Sequence, residues 1–339
     1  LNPSNRYYLI LSFKSIFYNW LGNMSNIKKL LNESIHFLSS IKHLIFYKAK
    51  KDNCEIEIIT FSIIPKLTKL WYKIADTKLL NKKIIIGDCS GELHSYLHET
   101  KPTILPMTNL DHGFKIDYFL RNACSTQYTI ISDDDIMIYD EEPIKWAVDQ
   151  LKNHKHLAVV SLMPRPNKTQ WVPNVEAIMG AYCLVVNRNI IVNNNILFQV
   201  VKPSGWKKVG NHFDTGDYAH KRLIELGYDV IIAPKHVREK ILSFTSISLW
   251  GKRILSTKGH INRAVRSSRP DEYKKAFRTS LVLKYLESIG KQNGNDLDRT
   301  YIDRSIQVCR KILETSTILD IENDIYGKIE KINSNMAHV

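Results

Sequence analysis

The chain is 339 residues long, with 44% hydrophobic and 24% charged residues and a formal net charge of +14. This composition is ordinary for a globular protein, so it excludes a disordered chain and allows one large domain or two smaller ones. No apolar run approaches the ~20 residues that cross a bilayer. The five cysteines are scattered without a CxxC pair, which excludes a zinc ribbon and a dense disulfide framework and indicates reduced thiols in the cytoplasm.

The positive charge favours a polyanionic partner, such as nucleotide phosphates, acidic lipid headgroups, an acidic glycan or nucleic acid. A basic nucleic-acid-binding protein is therefore one alternative. In such a protein the charge should cluster among aromatic residues. Here the basic residues are spread along the whole chain, and the most informative motif is acidic. We therefore expect no nucleic acid partner.

Residues 6–50 are predicted to be helical, because apolar side chains recur at helical spacing on both sides of Gly22-Asn23. An apolar stripe of this kind is typical of a helical hairpin that packs on a larger domain. The alternative is peripheral association with the inner face of a membrane, since aromatic residues such as Tyr7 and Trp20 lie near Lys and Arg residues. We treat residues 1–50 as a helical segment before the main domain.

From residue 51, predicted strands and helices alternate, which favours an α/β fold with a mostly parallel sheet flanked by helices. The predicted strands cover residues 56–61, 82–88, 104–107, 128–132, 157–162, 180–186 and 228–233, and the helices between them cover 65–74, 113–123, 143–151 and 218–226. Residues 237–270 are predicted to be a basic, loop-rich segment. The main domain is expected to span residues 51–270, with a helical segment over 271–339.

Three consecutive carboxylates, Asp133, Asp134 and Asp135, follow the predicted strand 128–132 directly. Adjacent acids repel one another unless a cation lies among them, and Asp133 and Asp135 can offer oxygen ligands to a hard divalent ion. Ligands of open α/β sheets bind at the carboxyl ends of the strands, which is where this cluster falls. The alternative is a solvated acidic turn. Polar residues also stand at the ends of the first two strands, namely Thr60, Ser62 and Asp88.

The order of these motifs resembles the GT-A nucleotide-sugar glycosyltransferases, especially those of the family 2 type. The resemblance covers residues 54–240 and rests on Ile58-Ile59-Thr60-Phe61, Ile86-Gly87-Asp88, Asn109-Leu110-Asp111-His112-Gly113, Ser132-Asp133-Asp134-Asp135, Gly180-Ala181-Tyr182, Asp214-Thr215-Gly216-Asp217 and His236. The Gln-x-x-Arg-Trp motif of processive polysaccharide synthases is absent, which favours a non-processive enzyme. A GT-A fold, Rossmann-like in its sheet, is therefore the expected architecture.

The resemblance implies transfer of a sugar from a nucleotide-sugar donor, with UDP as the expected nucleotide, to a glycan or lipid-linked saccharide acceptor. The expected setting is surface polysaccharide, lipopolysaccharide or capsule biosynthesis. The resemblance also implies Mn²⁺ or Mg²⁺ as the cofactor, with Asp133, Asp135 and His236 as ligands. The implied nucleotide contacts are Thr60, Ser62, Asp88, Asn109, Asp133 and Asp134.

The expected general base lies in Asp214-Thr215-Gly216-Asp217, where the family usually has a Glu-Asp pair, so its identity is ambiguous. A helix N-terminus stabilises a carboxylate as an anion, which suits capping better than proton abstraction. We expect Asp214 to cap the helix and Asp217 to act as the base of an inverting reaction, with Asp214 as the alternative base.

A nucleotidyltransferase that makes nucleotide-sugars is the second enzymatic alternative, because it shares the sheet and the metal-binding acids. Such an enzyme normally carries a Gly-rich loop with Lys or Arg after the first strand. The corresponding segment, Ser62-Ile63-Ile64-Pro65-Lys66, has no glycine. This absence favours the glycosyltransferase.

Overall fold

A seven-stranded sheet forms the centre of the computed structural model, which describes residues 27–49, 54–97, 102–167, 175–199, 214–265, 269–289 and 298–336. The strands are β1 Ile56–Ser62, β2 Lys82–Asp88, β3 Thr103–Pro106, β4 Tyr128–Ser132, β5 Ile136–Ile138, β6 Leu157–Ser161, β7 Arg165–Pro166, β8 Ala177–Ile178, β9 Cys183–Asn187, β10 Asp229–Ile232 and β11 Ile241–Ser243. The helices are α1 Ile27–Phe46, α2 Pro65–Lys78, α3 Leu93–Tyr96, α4 His112–Tyr118, α5 Glu142–Asn153, α6 Arg188–Asn193, α7 Asp217–Glu225, α8 Lys235–Arg238, α9 Ile247–Ser256, α10 Pro270–Ile289, α11 Arg299–Ile312 and α12 Thr315–Met336.

The strand order in the central sheet is β10-β6-β9-β4-β1-β2-β3. Strand β9 runs antiparallel to both of its neighbours, and all other pairs are parallel. The predicted α/β class with a mostly parallel, helix-flanked sheet is therefore confirmed. Since β1 and β4 are parallel neighbours, their carboxyl ends reach the same edge of the sheet.

The inner strands β1, β4, β6 and β9 are buried on both faces, as strands covered by helices should be, whereas the edge strands β3 and β10 are partly exposed. Alternate residues of β1 enter different hydrophobic clusters: Ile58 packs with α2 on one face, and Ile59 packs with Phe119 on the other. Phe119 begins a five-residue π-helical turn that continues α4. Helices α2 and α4, which lie next to the acidic motif, therefore pack on opposite faces of the sheet.

A buried carboxylate fixes the segment that leads into β4. The Glu57 side chain is fully buried and accepts hydrogen bonds from the backbone N–H groups of Ser125 and Thr126, at 2.6 and 2.8 Å. The Lys83 ammonium lies 3.5 Å from the same carboxylate. These contacts align the beginning of β4 against β1, and so they help to position the aspartates at the other end of β4.

The prediction of a loop over residues 237–270 is wrong. This segment contains β11, α9 and a 3₁₀ turn, and β11 pairs with β5 in a small antiparallel sheet beside the acidic motif. A three-residue strand is too short to show a period, and the abundance of Lys and Arg hid the buried stripe of Ile247, Trp250 and Ile254. Sequence analysis also missed β5, the β7–β8 hairpin and α6.

The two helical ends of the described chain pack on the sheet. Helix α1 confirms that part of the N-terminal prediction, and residues 6–26 lie outside the described residues. The His43 carbonyl at the end of α1 accepts a hydrogen bond from the Tyr118 hydroxyl, at 2.7 Å. Helices α10–α12 contribute Phe277 and other residues to the cluster that covers one face of the sheet. In the described ranges, no helix is both long and apolar enough to span a bilayer.

Candidate active site

A cavity of about 470 Å³ opens at the carboxyl ends of β1 and β4. Its lining includes the three consecutive aspartates, Asn109, His112, Lys115, Tyr182 and several side chains from the α9 N-terminal region. Small-molecule sites usually occupy ~300–1,000 Å³, so this cavity is large enough for a nucleotide. The sheet thus brings Asn109 and all three aspartates to one cavity, and their predicted roles in binding stay predictions.

The acidic motif is a tight turn between β4 and β5. The Asp133 N–H donates to the Tyr182 carbonyl at 2.9 Å, and the Ile136 N–H closes the turn on the Asp133 carbonyl at 3.1 Å. The Asp133 side chain is 35% exposed, whereas Asp134 and Asp135 are buried. The turn therefore leaves Asp133 the most exposed of the three carboxylates, all of which belong to residues that line the cavity.

Asp134 is bound on both oxygens by hydroxyl groups. Thr68 of α2 donates to Oδ2 at 2.7 Å, and Ser248 of α9 donates to Oδ1 at 3.0 Å. The carboxylate thereby joins two helices that lie on either side of the turn. These bonds make Asp134 a part of the support for the cavity, and its predicted contact with a nucleotide stays a prediction.

Asp135 is held by the start of α9. Its Oδ2 accepts the Ile247 N–H at 3.0 Å, and its carbonyl accepts the Phe244 N–H at 2.9 Å. Thr245 and Ser246, which precede the helix, have φ values of 58° and 64°. A left-handed β-branched residue is unusual, so this connection is strained where it meets the acid.

Burial raises the pKa of all three carboxyl groups, because desolvation penalises their charged forms. The pKa of Asp134 rises to about 8, and the neighbouring charges of Asp135 and Asp133 contribute to this rise. The Asp133 charge also raises the pKa of Asp135. A cation among these groups would relieve both effects, so the cluster is suited to receive one.

His112, the first residue of α4, lies beside Asp133. Its Nε2 is 3.4 Å from Asp133 Oδ1, and its ring meets the Phe61 ring edge-on with centroids 5.6 Å apart. Burial lowers the pKa of His112 to about 4, with a further contribution from the Lys115 charge, so the imidazole is neutral at pH 7. Sequence analysis quoted this residue within its motif but gave it no role, because only the fold brings it to the acids.

Lys115 is a buried cation in the same cavity, with 3% of its surface exposed. Its ammonium group donates to Asn109 Oδ1 at 3.4 Å and lies 4.9 Å from the centre of the Phe61 ring. Over the described ranges, no carboxylate lies within 4.0 Å of this ammonium. Since a buried charge without a counter-ion is costly, the site favours an anionic ligand.

The polar residues of β1 do not line the cavity. Thr60 and Ser62 are fully buried, and the Ser62 hydroxyl lies 2.7 Å from the Thr68 hydroxyl, to which it can donate because Thr68 donates its own proton to Asp134. Because side chains alternate along a strand, the cavity receives Phe61 and Ile63 instead. Sequence analysis selected the polar residues by their chemistry and overlooked this alternation.

Asp88 is also engaged by the protein itself. Its Oδ1 accepts hydrogen bonds from the N–H groups of Ser90 and Gly91, at 2.9 and 3.0 Å, and its Oδ2 accepts from the Leu93 N–H at 3.1 Å. The side chain is 3% exposed and is not among the cavity-lining residues. The structure therefore gives Asp88 a role in the loop after β2, and its nucleobase contact stays a prediction.

The expected metal-ligand set of Asp133, Asp135 and His236 is not brought together. His236 is exposed on the short helix α8, which follows β10. Three strand spacings separate β10 from β4 in the sheet, which is roughly 14 Å at ~4.8 Å per spacing. As the side chains stand in the described ranges, no group of three or more His, Cys, Asp or Glu residues could hold a metal ion.

The two acceptor-side aspartates differ in environment. Asp217 is 2% exposed, pairs with Arg165 and accepts the Asp214 N–H at 2.8 Å. Asp214 is exposed. The expectation that Asp214 caps the helix is wrong, because Gly216, with a φ of 86°, occupies the N-cap position. Glycine adopts this left-handed conformation without the steric cost that another residue would meet.

No protein-family model matches the chain, and no curated protein matches it. Among solved structures, the chain is similar to the mannosyltransferase PcManGT of Pyrobaculum calidifontis in complex with GDP-Man and Mn²⁺, at 12% identity over 91% of this chain and 96% of that chain, with a TM-score of 0.39. It is similar to glucosyl-3-phosphoglycerate synthase of Mycobacterium tuberculosis in complex with Mn²⁺, UDP and phosphoglyceric acid, at 12% identity over 53% of this chain and 68% of that chain, with a TM-score of 0.36.

A third similar structure is the CMP:2-keto-3-deoxy-manno-octonic acid synthetase complexed with CTP, at 9% identity over 53% of this chain and 89% of that chain, with a TM-score of 0.35. Likenesses this distant establish no function.

Proposed function

We propose that this protein is a divalent-metal-dependent glycosyltransferase, which moves a sugar from a nucleoside-diphosphate sugar to an acceptor hydroxyl. The observation that carries the proposal is a single cavity in which three aspartates lie near a buried lysine. A nucleoside diphosphate complexed with a cation would meet both requirements, since its phosphates suit Lys115 and its cation suits the acids.

Different residues of the chain are proposed to bind the cation, the phosphates and the nucleoside of the donor. Asp133 and Asp135, which line the cavity, would hold Mn²⁺ or Mg²⁺, and Asp134 supports their turn between α2 and α9. Lys115 binds a phosphate, and Phe61 with Ile63 provides an apolar wall for the nucleoside. The bound cation supplies Lewis-acid stabilisation of the leaving diphosphate.

Asp214 is the better-placed general base of the two candidates. A base must reach the acceptor hydroxyl, and Asp214 is exposed while Asp217 is buried against Arg165. Burial raises the pKa of Tyr182, which lines the cavity, against the opposing charge of Arg165, and the charges of Asp133 and Asp214 raise it further, so Asp214 lies near this wall of the cavity. The proposed reaction is inverting and non-processive, with a glycan or lipid-linked saccharide of a surface polysaccharide as the acceptor.

Donor hydrolysis and thermal shift across a panel of nucleotide-sugars, with Mn²⁺, with Mg²⁺ and in EDTA, test this proposal. We expect metal-dependent release of the nucleoside diphosphate from at least one donor. Asp133→Asn should abolish release, and Asp149→Asn, on the exposed face of α5, should not. Equal release in EDTA, or full activity of Asp133→Asn, would contradict the metal-dependent mechanism.

The substrates consumed and the products released distinguish the glycosyltransferase from the nucleotidyltransferase alternative. That enzyme would consume a nucleoside triphosphate and a sugar phosphate and release pyrophosphate. In this protein, β1 passes through Ile63 and Ile64 directly into α2, which begins at Pro65, without a glycine-rich turn for a triphosphate. We expect no pyrophosphate release from any triphosphate and sugar phosphate pair.

A further inference from the structure

One nitrogen of the His112 ring has no hydrogen-bond partner among the described residues. The Nε2 atom is buried and has no hydrogen-bond partner, although the side chain as a whole is 30% exposed. A buried polar atom without a partner costs ~1–3 kcal/mol, so such atoms usually mark a missing ligand or a functional role. This atom lies 3.4 Å from Asp133 Oδ1, and both residues line the cavity.

The orientation of the ring is fixed by two contacts. Its edge packs against Phe61, at an interplanar angle of 86°. Its Nε2 lies on the side of Asp133, 3.4 Å from Oδ1. A metal-binding histidine likewise offers the ion a ring nitrogen that makes no hydrogen bond within the protein.

We propose that His112, together with Asp133, ligates the divalent cation, and that His236 does not. The inference deepens the proposed function, on which it rests for the role of the cation. The two atoms concerned are 3.4 Å apart. Two ligands bound at about 2.1 Å to one ion, at an angle near 105°, lie about 3.3 Å apart, so the observed separation fits neighbouring ligands of one cation.

A site with few protein ligands agrees with the surrounding contacts. Both oxygens of Asp134 accept hydroxyl hydrogen bonds, and one oxygen of Asp135 accepts the Ile247 N–H. Ions such as Mg²⁺ are commonly held by one or two carboxylates plus substrate phosphates and water. The remaining positions around the cation are therefore left to the donor diphosphate and to solvent.

An imidazole ligand also predicts the choice of metal. Carboxylate and water suit Mg²⁺, whereas imidazole nitrogen favours transition-metal ions. We therefore expect the free protein to bind Mn²⁺ more tightly than Mg²⁺. Loss of the imidazole should reduce Mn²⁺ affinity by about tenfold or more and should affect Mg²⁺ affinity less.

Pulsed EPR of Mn²⁺ bound to the nucleotide-free, full-length chain tests the ligand directly, because a coordinated imidazole produces nitrogen modulation. We expect this modulation in the parent protein, in His236→Gln and in the control His154→Gln, which changes an exposed residue at the end of α5. His112→Gln should lose the modulation. Its unfolding in EDTA is compared with that of the parent, and His112→Asn serves as a second variant of different length.

Absence of nitrogen modulation in the parent overturns the proposal without any variant. Persistence of the modulation in a folded His112 variant, or its loss in His236→Gln, also overturns it. The outcome is separable from that of the proposed function. If Mn²⁺ shows nitrogen coupling but no sugar is transferred, only the proposed function is refuted. If transfer depends on Mn²⁺ but no nitrogen coupling is seen, only the assignment of His112 as a ligand is refuted.

Discussion

Asp117 in α4 gives a prediction whose magnitude changes with pH. Its carboxylate is 3% exposed, and it accepts the N–H groups of Phe198 and Gln199 at 2.8 and 3.3 Å. Burial raises the pKa of Asp117 to about 7, against the opposing effects of these bonds and of Arg121. An unfolded chain has an aspartate pKa of about 3.9. The folded protein therefore binds the proton more tightly, and its stability falls as pH rises from about 4 to about 7.

The expected magnitude follows from the difference in pKa. Each pH unit between 5 and 7 should remove about 1.4 kcal/mol of the free energy of unfolding, or roughly 3 kcal/mol in total. Asp117→Asn removes this dependence but turns an amide donor toward the Gln199 N–H, which costs about 1 kcal/mol. Ionisation of the unfolded chain already removes about 1.5 kcal/mol from the parent at pH 5, so the variant should be close to the parent in stability there and roughly 3 kcal/mol more stable at pH 8.

Urea unfolding of both proteins in EDTA, at several pH values, measures the difference. The three cavity aspartates titrate in the same range, but they are present in both proteins, so their effect cancels in the comparison. A stability difference that stays constant between pH 5 and 8 would refute the reasoning, because it would mean that Asp117 is already ionised at pH 5.

Three further predictions concern the helix glycine, the cavity lysine and the candidate base. Gly113→Ala would place a Cβ 2.3 Å from a backbone carbonyl oxygen, so urea unfolding should show a loss of at least ~1–3 kcal/mol, whereas the helical control Gly327→Ala meets no atom within 4 Å and should be neutral or stabilising. Lys115→Met should weaken nucleoside diphosphate binding in calorimetry while stabilising the free protein, because it removes a buried charge without a counter-ion. Asp214→Asn should lower kcat by ~10²–10⁴ with donor binding retained, whereas Asp217→Asn should mainly lower the melting temperature; the reverse result would restore Asp217 as the base.

The alternation of strands and helices was predictable because each long strand carries a continuous apolar run. The run over 128–132 ends at the acids, and the fold brings Asn109 and the acids to one cavity. Short elements were not predictable from periodicity. Strands β5 and β11 have three residues each, and they exist because they pair with one another.

The residues of the site were harder to predict than the fold, because the chemistry of a side chain does not show which way it points in the folded protein. Thr60 and Ser62 have suitable side chains but point away from the cavity, on the alternate positions of β1. His112 and Lys115 were overlooked because their importance depends on Asp133 and Phe61, which are distant in sequence. Pairing across the sheet and packing of α4 supply this information, and a linear motif does not.

The central claim is that one cavity binds a nucleoside diphosphate through a divalent cation held by the Asp133 turn. Calorimetric titration of UDP and GDP into the full-length protein, with Mn²⁺ and in EDTA, tests it most directly. The account predicts binding of at least one nucleotide with Mn²⁺, and loss of that binding in EDTA and in Asp133→Asn. Binding of equal affinity under all three conditions, or no binding of either nucleotide with Mn²⁺, would contradict the claim.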